Sequence, residues 1–141
     1  MSFERFMKRN KAQKSNAKYV ATQSLTDKDG NPLEWEFKPV TTRESEALRE
    51  ECTVDVPVTG KPNMYRPKLL SSKYITKLIA KSVVYPDLMN ADLQDSYGVK
   101  TADDLLLEIL DDVGEFNACV TFVQNLSGIE PLKDKVKEAK N

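Results

Sequence analysis

Between residues 33 and 38 apolar and charged side chains alternate strictly: Leu33, Trp35 and Phe37 interleave with Glu34, Glu36 and Lys38. A period of two places the apolar side chains on one face of a strand and the charges on the other. The preceding residues 26–32 are dense in turn formers, and Asp29-Gly30 supplies the residue types a tight turn needs at positive φ. Residues 19–25 are extended in character, so the order predicts a hairpin. A two-stranded hairpin is marginal in water by itself. Trp35 and Phe37 must therefore be covered by another part of the chain, and the rest of the sequence offers mainly helices.

Thr41-Thr-Arg-Glu44 has the form of a capping box, in which the threonine hydroxyl and the glutamate satisfy first-turn amides reciprocally. It predicts a helix from residue 42 to Glu51 with Ala47 and Leu48 inward. Residues 53–58 alternate loosely, Gly60-Lys-Pro-Asn63 reads as a loop, and residues 64–69 form a short extended segment limited by Pro67. From Ser71 the period changes to 3.6: Tyr74, Ile75, Leu78, Ile79, Ser82 and Val83 share a face opposite Lys73, Lys77 and Lys81. Ser71 or Ser72 is the expected cap, and Tyr85-Pro86 the expected end. Asp87 then caps a short helix carrying Leu88, Met89 and Leu93, which stops near Tyr97-Gly98. Thr101 caps the next, with Asp103 and Asp104 in its first turn, where acids favour the helix dipole. Its stripe is Leu106, Ile109, Leu110 and Val113. Gly114 is read as a break, and Glu115 as the start of a last helix with Phe116, Cys119, Val120 and Val123 inward, closed by Ser127-Gly128.

The expected fold is therefore α+β and mostly helical, with an N-terminal β-hairpin or small sheet packed against a C-terminal bundle of four to five helices. Residues 1–18 read as a flexible basic leader, 19–130 as a single globular domain and 131–141 as a charged tail. The leader sets Arg5, Lys8, Arg9, Lys11, Lys14 and Lys18 against the single acid Glu4. Its apolar residues Phe3, Phe6 and Met7 sit three and four apart, the spacing of a short amphipathic helix that orders on a partner.

Histidine is absent, which removes the commonest general base and metal ligand together. The only cysteines, Cys52 and Cys119, are too few for a structural zinc site and read as buried free thiols. The acids Asp103, Asp104, Asp111 and Asp112 fall away from the leucine stripe, as on a solvated face. The Asp27-to-Asn31 stretch lacks the glutamate a calcium loop carries at its twelfth position, where Lys38 stands. The five glycines are isolated and make no phosphate-binding loop. No catalytic, cofactor-binding or metal-binding residue is assigned, and the chain is not expected to be an enzyme. With a net charge of −1 and no apolar run near the ~20 residues that span a bilayer, neither nucleic acid nor membrane is an expected partner. Charge asymmetry between the halves favours docking to oppositely charged protein surfaces, including a second copy of the chain. Leu105-Leu106-Leu107 cannot all face one core, so Leu105 or Leu107 is expected at the surface beside Phe3, Phe6 and Met7 as a candidate partner contact.

The series Trp35-Glu-Phe37, Tyr85-Pro-Asp-Leu88, Tyr97-Gly98, Asp103-Asp-Leu-Leu-Leu-Glu-Ile-Leu110, Gly114-Glu-Phe116 and Leu126-Ser-Gly128 resembles the XkdN-like phage tail assembly chaperones of phages and defective prophages of Gram-positive bacteria. The likeness covers residues 33 to 130. Ile129 follows the closing glycine where members often carry phenylalanine. The resemblance implies a chaperone in the host bacterial cytoplasm that binds the tape-measure protein, with the tail tube protein as a possible second partner, and assists tail tube assembly. It brings no catalytic residues. The alternative is a structural tail or baseplate component retained in the particle.

Overall fold

A computed structural model describes residues 2–130 of the chain; the expected charged tail at 131–141 lies outside the described residues. Two single turns of 3-10 helix, Glu4–Phe6 and Lys8–Asn10, open the chain. Strand β1, Ala17–Tyr19, pairs antiparallel with β2, Trp35–Phe37, in the register Ala17 to Phe37 and Tyr19 to Trp35. The paired strand thus starts within the segment read as leader. Between the strands Asp27 shapes the turn: its carboxylate accepts from the Asp29 and Asn31 amides, which, Asn31 foremost, hold its carboxyl below the usual range.

A third strand, β5 (Val83–Tyr85), completes this sheet on the other side of β2, giving the order β1-β2-β5. Sequence periodicity carried the preceding helix through Val83. The helix stops at Ser82 because its fully buried hydroxyl donates to the Lys38 carbonyl at 2.6 Å, while the Lys38 amide donates to the Ser82 carbonyl at 2.7 Å. That exchange turns the chain into the sheet, where Val-Val-Tyr suits a pleated strand. The Tyr85–Pro86 peptide is cis.

Helix α1, Thr42–Glu51, begins with the expected capping box: the Thr41 hydroxyl accepts from the Glu44 amide, and the Glu44 carboxylate accepts from the Thr41 amide. Leu48 is half-buried, but Ala47 is exposed. Lys38 donates to Glu44 at 3.1 Å. Partial burial pushes the Glu44 carboxyl upward, but the Thr41 amide and the Lys38 ammonium outweigh it and hold the group below its ordinary range. A carboxylate with a depressed folded-state pKa stabilises the fold above its unfolded value and loses that contribution as pH falls through the folded one. Stability is thus expected to decline on acidification below the ordinary glutamate range, and Glu44→Gln to flatten that decline in urea titrations followed by circular dichroism. Thr41→Ala, which removes the other half of the box, is expected to cost about 1 kcal/mol at neutral pH.

Strands β3, Thr53–Pro57, and β4, Tyr65–Leu69, form a separate antiparallel ribbon with Asp55 opposite Pro67. Helix α2, Ser71–Ser82, follows without a side-chain cap; Leu70, not Ser71 or Ser72, holds the cap position. Short helix α3, Ala91–Ser96, is capped by Asn90 rather than Asp87, whose carboxylate instead accepts from the Met89 amide in the preceding turn. Helix α4, Ala102–Ile109, is capped by Thr101 as expected. Helix α5, Val113–Ser127, starts two residues earlier than the expected Glu115. Asp112 caps it by accepting from the Glu115 amide, so Gly114 lies inside the first turn. Gly128 closes it in the left-handed region at φ 70°.

The core forms where the sheet meets α2, α4 and α5. Trp35 and Phe37 are buried on one sheet face with Glu36 turned away, while Leu33 is 41% exposed and leaves the stripe. Phe122 joins the layers: its ring stacks on Tyr19 at 4.2 Å and meets Phe37 edge-on at 5.3 Å. Tyr74, Leu78 and Ile79 of α2, Leu105, Leu106 and Ile109 of α4, and Cys119 and Val123 of α5 fill the remainder. The Tyr74 hydroxyl meets Ser45 at 2.7 Å, giving the buried ring a polar partner. The architecture is the expected α+β class, small sheets against five α-helices among the described residues.

Candidate functional site

Three of the late acids, Asp103, Asp112 and Glu115, are engaged within the fold, whereas Asp104 and Asp111 are exposed. Asp103 receives Lys77 at 2.7 Å, and Lys77 also reaches Glu51 at 3.4 Å. The hydrogen bond to Asp103 leads the causes that raise the Lys77 pKa, against the opposing effect of burial. Asp112 caps α5. Glu115 clasps the segment after β1, accepting from the Thr22 hydroxyl at 2.7 Å and the Gln23 amide at 2.8 Å. Among the described residues no three Asp, Glu or Cys side chains are grouped to hold a metal ion. The cysteines are free and buried, as expected. Burial pushes the Cys119 thiol up to about 12 and, as the leading cause, raises Cys52 as well. A thiol so shifted carries little thiolate at neutral pH and is a poor nucleophile.

Exposed apolar surface is what remains for function. In the leader, Phe3 is 68% exposed and Phe6 84%, with their rings edge-on at 6.5 Å, and Met7 is also exposed. The expected amphipathic helix is replaced by the two short 3-10 turns, tied by Glu4 to Arg9 and by the Asn10 amide donating to the Glu4 carbonyl. Further along, Lys11, Lys14 and Asn16 line a hollow with Val40, Thr41 and Ser127, so this part of the leader lies against the body. Of the leucine run, Leu107 is exposed and Leu105 fully buried, its side chain in the core beside Leu106. Leu105 is therefore withdrawn as a partner contact: α4 turns the face of Leu105, Leu106, Ile109 and Leu110 inward, and a fully buried side chain offers a partner no surface.

Sequence reasoning missed the neighbours of Leu107. A groove of about 620 Å³ runs between α2, α4 and α5, lined by Ile75, Thr76, Leu107, Phe116, Val120 and Gln124 among others, none of them charged. Val113, assigned above to the inner stripe of α4, instead begins α5 and is 74% exposed. It falls three and seven residues before Phe116 and Val120, on the same side of the helix. The signal was present: Asp112-Val-Gly-Glu115 is itself an N-cap pattern that places the break before Val113. The groove and Val113 together give this side of α4 and α5 an exposed, uncharged and largely apolar surface.

The model of the phage XkdN-like tail assembly chaperone proteins matches residues 3–140. The chain belongs to this family. The chaperone-family chain is 29% identical over 139 residues to the phage-like element PBSX protein XkdN of Bacillus subtilis strain 168, covering 96% of this chain and 91% of that protein. It is 24% identical over 121 residues to the uncharacterized protein YqbN of the same strain, covering 85% and 80%. The crystal structure of the protein YqbN shares the fold at a TM-score of 0.73 and 20% identity, over 92% of this chain and 97% of that one. The family match extends through the leader, which the resemblance read from residues 33 to 130 did not reach. Among the described residues no helix of this family member is long and apolar enough to cross a membrane.

Proposed function

We propose that this chain acts in the host bacterial cytoplasm as a tail assembly chaperone that binds the tape-measure protein and assists tail tube assembly. The carrying observation is that the family match begins at residue 3 and so takes in the exposed Phe3, Phe6 and Met7. An apolar cluster set among basic side chains buries surface on a client while keeping the complex hydrated. Contacts that are numerous and individually modest also permit release when tube subunits arrive. Tail tube protein is the second partner in this reading.

Co-expression with the tape-measure protein tests it. The full chain is expected to co-purify with the tape-measure protein and keep it in the supernatant. A variant lacking residues 1–10, which leaves β1 whole, is expected to lose most of that binding. Undiminished binding by the truncated chain removes the leader from the site. Failure of the full chain to bind, together with stoichiometric presence in purified particles, overturns the chaperone reading in favour of a retained tail component.

A further inference from the structure

The β3–β4 ribbon stands apart from the three-stranded sheet, and of its ten strand residues only Val56 and Leu69 are even half-buried. Ribbons of two strands with neither face covered are marginal in water. The register places Val54 opposite Lys68 and Val56 opposite Arg66, and the Val58 amide donates to the Met64 carbonyl one step further on. Cross-strand partners share a face. One face therefore presents Val54, Val56, Val58 and Met64 together with Arg66 and Lys68. Pro57 and Pro67 interrupt the edges, which disfavours extension by a further strand and leaves the face as the surface to be covered.

The counterpart lies on the same chain. The groove at Leu107, Phe116 and Val120 is uncharged, and Val113 is exposed at the start of α5. Around Leu107 on α4 stand Asp104, one turn before it, and Glu108, and Asp111 follows one turn after it, just past the helix end at Ile109. These three acids are exposed and make no ion pair among the described residues. One surface is apolar with basic side chains, the other apolar with acidic ones. We infer that the β3–β4 ribbon of one copy docks on the α4–α5 groove of a second copy, valines and Met64 against Leu107 and Phe116, and Arg66 and Lys68 against Asp104, Glu108 and Asp111. The occupant is a second copy because each surface matches the other in both polarity and charge. This assigns Leu107 to self-association rather than to the client, and it stands or falls independently of what the leader binds.

Sedimentation velocity on the full chain over a range of protein and salt concentrations tests the contact. Association is expected to grow with protein concentration and to weaken as salt screens the pairs. The variant R66E/K68E and the variant D104K/E108K/D111K are each expected to self-associate at least about tenfold more weakly. Mixed, they are expected to regain association with each other, because the reversed charges again match. All the altered residues are exposed, and circular dichroism checks that both variants remain folded. A full chain that stays monomeric throughout, charge reversals without effect, or variants that fail to recover on mixing would each overturn the proposal. So would a monomeric chain whose ribbon variant loses tape-measure binding, since the ribbon face would then belong to the client.

Discussion

Trp35→Ala is expected to lower the free energy of unfolding by about 3–5 kcal/mol, read from urea unfolding followed by far-ultraviolet circular dichroism. The indole is 2% exposed and stacks on Phe37 at 6.1 Å, in a layer that Tyr19 and Phe122 extend. β2 is the central strand, so a cavity there undermines the pairings to both β1 and β5. Domains are stable by only ~5–15 kcal/mol, and a loss of this size brings the midpoint close to working temperature. A cost below ~1 kcal/mol would mean that the sheet does not pack on the helices as described.

Leu105→Ala is expected to cost about 2–5 kcal/mol, while Leu107→Ala stays within about 0.5 kcal/mol. The two residues are chemically identical and two positions apart, yet one is fully buried and the other 44% exposed. The buried leucine leaves a void in the core cluster that a close-packed interior fills only in part. The exposed one loses surface contact only. Thermal unfolding of both variants at equal concentration and moderate salt makes the comparison, and equal losses would show that α4 is rotated from the orientation described.

Local chemistry in the sequence announced most of the framework. The caps at Thr41 and Thr101, the Trp35 and Phe37 alternation, and the Gly128 stop all act within a few residues, so spacing alone locates them. What escaped depends on distant partners. Val83–Tyr85 became a strand because Ser82 meets Lys38, 44 positions away, and no short window contains that bond. Phe122, which links Tyr19 to Phe37, lies off the stripe read for α5 and is recognisable only once the sheet is known to lie against that helix. At the candidate surface, the exposure of Phe3, Phe6 and Leu107 follows from patterns that no single core can satisfy. The groove around Leu107 needs three helices in place before it exists.

The clasp by Glu115 on Thr22 and Gln23, and the Val40 amide donating to the Ser127 hydroxyl, join positions about ninety residues apart. During synthesis, the first strands therefore leave the ribosome long before the helix that covers them. The Phe37 ring stays without its Phe122 neighbour until α5 has been translated. The high sequence separation of these contacts sets a folding rate slower than that of a simple helical bundle. A chain of the tail assembly chaperone family thus passes through a nascent stage in which one of its own core strands lacks its helical cover.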